Sequence, residues 1–307
     1  MFPNAEISTD PARTGSQTRL CVRDYALAPT LSSGQAFRWH QTGASWQGVI
    51  GNRLVRLDPE ANGIRVWAAS GVQDWNWLTH YLQVNVDLGR VLASFPTRDP
   101  QLAAAVIACR GLRLLRQDPW ECLASFILSS TKQIVQIRQI VELLCHRFGE
   151  PLPDPPGVPR VCAFPSPETI AACSEADLRA CKMGFRAPAL LATARRIADQ
   201  ILVLDDLVGL PTAEGRRRLI DLPGVGEKIA NCVLLFAYGA QDAFPMDVWV
   251  VKALRELYFP GRSVNRSELG AFVRSHFGPH AGYAQQYLFH YMRVHLGRKN
   301  RQTSPAL

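Results

Sequence analysis

The stretch Leu222-Pro223-Gly224-Val225-Gly226-Glu227-Lys228-Ile229-Ala230 decides how this chain is read. Helical periodicity over 213–221 runs into a Pro-Gly-x-Gly turn, and a second helix starts at once. Glycines in such a turn let backbone N–H groups approach a phosphate, and the N-terminus of the second helix attracts the same anion. Gly224, Val225 and Gly226 are therefore the expected phosphate contacts. The plainer alternative is an αα-hairpin with a glycine-rich turn and no ligand.

Two ionisable residues give this hairpin possible chemistry. Of 34 basic residues only five are lysines, at 132, 182, 228, 252 and 299. Arginine does not lose its proton to become a nucleophile, whereas lysine can. Lys228, in the first turn of the second helix, thus invites a chemical explanation, against the reading of a surface lysine. Nineteen residues further on, Pro245-Met246-Asp247-Val248-Trp249 places Asp247 at the head of a helix expected over 248–257. An ordinary N-cap accounts for Asp247 by itself; capping would also hold its carboxylate still for chemistry.

Outward from the hairpin, the composition bounds the partners. Apolar residues are 47% and charged ones 20%, an ordinary globular balance, and 307 residues suit two domains. Net charge is +8 with a pI near 9.3, which favours an anionic partner such as nucleic acid. The eight cysteines stand singly with no Cys-x-x-Cys pair and none after Cys232, which argues against a zinc ribbon and an iron–sulfur loop. Buried thiols in a reducing compartment, no metal and no cofactor are expected. Met1 to Ser16 lacks an apolar signal core, and the run Cys232–Ala240 is too short to span a bilayer. The expectation is a soluble intracellular protein without membrane contact, nuclear in a eukaryote and cytoplasmic or nucleoid-associated in a bacterium.

Residues 17 to about 90 read as β-rich, with turn dipeptides at Thr42-Gly43, Gly51-Asn52 and Asn62-Gly63. From Trp75 the period shifts toward helix. Asp118-Pro119 starts one helix, a break near Ser129-Ser130-Thr131 divides 119–148 into two, and Gly149 stops the second. Seven prolines among residues 150–167 mark a surface loop, and Ser166, Ser174 and Thr212 are expected N-caps. The fold class is α+β: a twisted antiparallel sheet domain over 1–117 and an all-α domain over 118–307.

The hairpin, its lysine and the downstream aspartate together resemble the helix-hairpin-helix DNA glycosylase superfamily. Three further blocks narrow the likeness: Leu31-Ser32-Ser33-Gly34-Gln35-Ala36-Phe37-Arg38-Trp39, Gly111 to Pro119 with Glu121-Cys122-Leu123, and Ala281-Gly282-Tyr283-Ala284-Gln285 with Leu288-Phe289. They resemble the eukaryotic-type 8-oxoguanine DNA glycosylase/AP lyase family over roughly residues 18–295. The resemblance implies a TBP-like sheet domain, Lys228 as the Schiff-base nucleophile, and Asp247 as the charge that stabilises the sugar. It also implies a pocket for an extruded base. The Gly34 carbonyl would accept the N7–H that distinguishes 8-oxoguanine from guanine. Gln285 would read the Watson–Crick edge, and Phe289 and Cys232 would stack on the two faces of the base. A turn glycine, a core phenylalanine and a packed thiol are the bland counterparts. Asparagine, arginine and arginine read the orphaned cytosine in the family; Thr131, Gln136 and Arg186 stand there in this chain, and Trp249 replaces a histidine. Damaged double-stranded DNA is the implied partner, bound by a monomer, with weakened preference for cytosine opposite the lesion. The rival readings are a related glycosylase for adenine or oxidised pyrimidines, many of which carry an iron–sulfur cluster, and a non-catalytic DNA-binding module.

Overall fold

The computed structural model describes residues 15–69, 71–130, 132–153 and 160–302, with side chains of the last helix described to Val294. Five strands, β1 (Ser16–Cys21), β2 (Trp39–Thr42), β3 (Ser45–Ile50), β4 (Arg53–Glu60) and β5 (Gly63–Ala68), form one antiparallel sheet in the order β1-β5-β4-β3-β2. Two-residue turns join β2 to β5 in sequence, because Thr42 pairs Ser45, Ile50 pairs Arg53 and Glu60 pairs Gly63. The expected hairpins are present, but Gly63 is the first residue of β5 rather than a turn residue. A Cβ there would stand 2.2 Å from the Leu20 carbonyl oxygen, so the close approach of β1 is what demands glycine.

α1 (Leu27–Ser32) and α2 (Asn76–Leu82) cover one face of the sheet. Leu27, Leu31, Leu78 and Leu82 bury against Trp39, Val55, Leu57, Ile64 and Val66, the inward positions of the alternating strands. The opposite face buries Val49, Leu54 and Trp67 under Leu152. Leu152 belongs to the proline-rich segment expected as a surface loop. An isolated bridge pairs Pro151 with Cys162, the Leu152 amide donates to Val161, and this short ladder lies on the sheet. Proline frequency marks a loop, but it carries no information about what the described residues at its two ends can cover.

The other helices share one core: α3 (Leu88–Ala93), α4 (Pro100–Ala108), α5 (Pro119–Leu128), α6 (Ile134–Phe148), α7 (Pro167–Ala171), α8 (Glu175–Arg179), α9 (Ala187–Ala198), α10 (Thr212–Ile220), α11 (Glu227–Val233), α12 (Val248–Tyr258), α13 (Arg266–His276) and α14 (Ala281–Gln302). The Asp118, Ser166 and Ser174 side chains accept amide hydrogens in the first turns of α5, α7 and α8, as their sequence signatures require. Thr212 departs from expectation. Pro211 occupies the cap position, so Thr212 is the first helical residue and its hydroxyl donates to the Asp242 carboxylate. Six of the eight cysteines are buried and none is in a disulfide.

Asp99 ties the frame together. Its Oδ1 caps α4 by accepting the Leu102 amide at 2.8 Å, and its Oδ2 lies 2.8 Å from both the Tyr258 hydroxyl on α12 and His276 Nε2 on α13. Removing a buried acceptor leaves its donors unsatisfied as well as the helix uncapped. Asp99→Ala is expected to lower stability by about 3 kcal/mol in urea unfolding. A change within error would mean that these three helices are held by packing alone.

Candidate active site

The hairpin closes on itself before it meets any ligand. The Leu222 amide donates to Leu219 and the Val225 amide to Leu222, both at 3.1 Å, and the Thr193 hydroxyl of α9 holds the Pro223 carbonyl at 3.0 Å. Gly224 adopts φ +77° and Gly226 caps α11 in extended backbone, with no side-chain cap hydrogen bond. Gly224 and Gly226 are exposed, whereas the Val225 side chain is buried in the core. Val225 therefore anchors the turn, and its N–H is already used within it.

The Lys228 side chain leaves the first turn of α11 toward the C-terminal end of α5. Its Nζ donates to Ser129 Oγ at 3.0 Å and lies 5.1 Å from the Phe126 ring centroid. Ser129 Oγ in turn donates to the Phe126 carbonyl at 2.7 Å. The amine is thus held by a hydroxyl and a ring face at the C-terminal end of α5. Asp247 caps α12 through Oδ1, which accepts the Val250 amide at 2.8 Å. Burial pushes its carboxyl above the usual range, while the Val250 amide and the Lys228 charge pull it down. The two charges feel each other's field but do not pair, since each is held by a different neighbour.

Cys232 lies within both fields, one turn after Lys228. Burial pushes its thiol up to about 11, against the pull of Lys228 and with a small addition from Asp247. Burial likewise raises Cys122, which lies close enough to feel Cys232 and Lys228. Both are neutral thiols near neutral pH, so neither competes with Lys228 as a nucleophile. The backbone widens into a π-turn over Leu234–Tyr238 just beyond. There the Phe236 ring stacks on Phe126 at 5.6 Å and its carbonyl receives the Gln117 amide at 2.7 Å.

Gln117 connects the hairpin to the Gly34 loop, because its Nε2 donates to the Gln35 carbonyl at 2.6 Å. Gln35 is wholly buried: Nε2 donates to the Thr30 and Arg113 carbonyls, and Oε1 accepts the Leu115 amide, each at 2.8 Å. With both ends of that amide satisfied, Gln35 fixes the backbone on either side of Gly34. Gly34 itself takes φ +82°, and a Cβ would meet Ile134 Cδ1 at 2.6 Å, so two independent constraints select glycine. From α14, Gln286 Nε2 donates to the Ser33 carbonyl at 3.2 Å. Its neighbour Gln285 is buried with Oε1 unpartnered, and Phe289 is half-buried against the helical core. The α5–α6 connection is the hub, since Ser129 at one end holds Lys228 and Ile134 at the other packs on Gly34.

The expected opposite-base readers are less assembled. Thr131 lies outside the described residues. Gln136 is exposed, and its Oε1 accepts the Gln133 amide at 2.9 Å in a capping box that starts α6. Arg186 lies against the exposed Phe185 ring, 4.6 Å from its centroid. Sequence reasoning passed over Phe126, Ser129, Gln35 and Gln117 as functional groups. Ser129 was legible only as a helix break, and the glutamines carry no spacing signal. Among the described residues no group of three or more His, Cys, Asp or Glu side chains could hold a metal, and no helix is long and apolar enough to cross a membrane.

Comparison with known proteins places nearly the whole chain beside one family. A family model for the 8-oxoguanine DNA glycosylase N-terminal domain matches residues 19–123, and one for HhH-GPD superfamily base excision DNA repair proteins matches residues 124–272. The chain is 30% identical to the N-glycosylase/DNA lyase OGG1 of Arabidopsis thaliana, over 88% of this chain and 78% of that one. It is 29% identical to a probable N-glycosylase/DNA lyase of Methanothermobacter thermautotrophicus, over 90% and 96% of the two. The Clostridium acetobutylicum 8-oxoguanine glycosylase/lyase, solved with duplex DNA carrying cytosine opposite 8-oxoguanine, superposes with a TM-score of 0.83 at 29% identity, covering 92% of this chain and 98% of that one. With both domains matched in order and that likeness sustained over nearly the whole length, the chain belongs to the 8-oxoguanine DNA glycosylase family within the HhH-GPD superfamily.

Proposed function

We propose that this protein is a bifunctional DNA glycosylase/AP lyase of base excision repair that removes 8-oxoguanine from duplex DNA, acting as a monomer. The single observation that carries this reading is the placement of Lys228. It is an amine on the hairpin, steadied by Ser129 and Phe126, and it shares the field of Asp247 without being neutralised by it. Gly224 and Gly226 with the start of α11 hold a backbone phosphate. The damaged nucleotide is extruded against Gly34, Cys232, Gln285 and Phe289.

Lys228 Nζ, as the free amine, bonds to C1′ as the C1′–N9 bond breaks, and the bonding pair leaves with the purine, which takes up a proton. The negative Asp247 carboxylate stabilises the positive charge that grows on the sugar. The nitrogen then gives up a proton and the ring oxygen, departing from C1′ with its bonding pair, takes one up, leaving a protonated imine between Lys228 and the opened sugar. Loss of a C2′ proton expels the 3′ phosphate by β-elimination. Cys232, a neutral thiol, serves as a packing surface.

The test is single-turnover excision from duplexes that differ only in the base opposite 8-oxoguanine, with an undamaged guanine duplex as control. Excision is expected from the lesion duplexes and not from the control. A modest preference for cytosine should fall by about tenfold in Arg186→Ala, within the range of one well-placed arginine contact. A strong cytosine preference that survives this substitution would place the opposite-base readers elsewhere.

A further inference from the structure

α14 brings a third group to the base pocket beyond Gln285 and Phe289. Arg293 stands four residues after Phe289, with its guanidinium carbon 5.8 Å from that ring centroid. Its Nη2 donates to the Ser32 carbonyl at 2.9 Å. Its Nη1 is buried without a partner and lies 3.5 Å from the point where a Gly34 Cβ would stand. Arg138 of α6 lies behind it, with a buried and unpartnered Nε. Burial first, and then the Arg138 charge, holds the Arg293 pKa below the usual arginine value. Glu142 is within the electrostatic reach of Arg138 but pairs with His40 at 3.0 Å.

Two desolvated like charges beside a neutral pocket are unfavourable in the free protein, and such arrangements are kept where a ligand uses them. The orphaned donor needs an electron-rich acceptor. Its position next to Gly34 and Phe289 makes a base oxygen the acceptor. In 8-oxoguanine the N7–H is flanked by two keto oxygens, O6 and O8. A donor beside the glycine that accepts N7–H therefore faces one of them. We propose that Arg293 reads the extruded purine by donating from Nη1 to a keto oxygen next to N7–H. Arg138 adds positive potential that stabilises the negative charge the base acquires when the C1′–N9 bonding pair leaves with it. The inference rests on the function proposed above and adds residues to the pocket of that same site.

The experiment measures affinity in the Lys228→Gln background for three duplexes alike except at one position, which holds 8-oxoguanine, guanine or a stable tetrahydrofuran abasic analogue. The abasic duplex keeps every phosphate and lacks only the base. Arg293→Met is expected to weaken the 8-oxoguanine complex by about tenfold and leave the abasic complex unchanged. Arg293→Lys should recover part of the loss. Arg138→Met, made in the Lys228 protein, should slow single-turnover excision without lowering Tm, because it relieves a repulsion. Equal weakening on all three duplexes would assign Arg293 to a phosphate and overturn the proposal. So would unchanged affinities with a lowered Tm, which would reduce Arg293 to the tie on Ser32. If the parental background does not prefer the 8-oxoguanine duplex over guanine at all, the functional reading itself falls, a result distinct from either of these.

Discussion

Lys228→Gln is expected to abolish covalent trapping of the protein on an 8-oxoguanine duplex by borohydride. Borohydride joins protein to DNA only by reducing a Schiff base between them, and that Schiff base requires an amine at the sugar. The side-chain amide of glutamine can still donate to Ser129 Oγ, so the contact that positions residue 228 has a substitute, and the α11–α5 packing around Ile229, Ala230 and Phe126 is untouched. The phosphate contacts at Gly224 and Gly226 are backbone features that a side-chain change leaves in place. The expected outcome is therefore a loss of trapping and strand cleavage with DNA affinity within a few-fold of the parent. Undiminished trapping would move the nucleophile to another amine, with Lys132 and Lys252 the next to test.

Asp247→Asn separates chemistry from folding at the second residue. Asparagine is as good an N-cap as aspartate, so the Val250 amide keeps an acceptor. The carboxyl pKa is raised in the folded state, chiefly by burial. A raised carboxyl pKa means that folding favours the protonated form, so the ionised carboxylate opposes folding increasingly as pH rises through that pKa. Asn removes this opposition, and Tm at neutral pH is expected to hold or rise. Base excision should nevertheless slow by about 100-fold or more, because the charge facing the developing sugar cation is gone. Single-turnover rates and thermal unfolding on the same preparation check both halves. Near-parental rates would make Asp247 a cap and nothing else, whereas a large fall in Tm would mean that the lost rate reports damage to α12.

What could be read before folding were the features set by neighbours in sequence. The Pro-Gly-x-Gly turn, the Asp118-Pro119 start, the Ser174 capping box and the Asp247 cap each involve groups within four residues of one another. Short-range hydrogen bonds and backbone sterics therefore specify them without reference to the rest of the chain. The strand alternation and the three tight turns are of the same kind. Lys228 was legible because arginine is the default cation here and a lysine at the hairpin stands out.

What only the tertiary structure decided are contacts between residues far apart along the chain. Ser129 reaches Lys228 across 99 positions, Gln35 reaches Leu115 across 80, and Arg293 reaches Ser32 across 261. A glutamine that locks a loop and one that lies in solvent have the same local sequence signature; burial and partner distinguish them, and both are set by packing. Gly63 shows the same limit. Its turn-like setting beside Asn62 explained it wrongly, while the passage of β1 within 2.2 Å of its absent Cβ explains it. The amino-acid sequence by itself determined the local elements and the two groups expected to do chemistry. The packing of α11 on the end of α5 decided what holds Lys228, and the meeting of the Gly34 loop, Ile134 and α14 decided which distant groups lie beside Gly34, because hydrophobic burial joins faces by area and shape rather than by order in the chain.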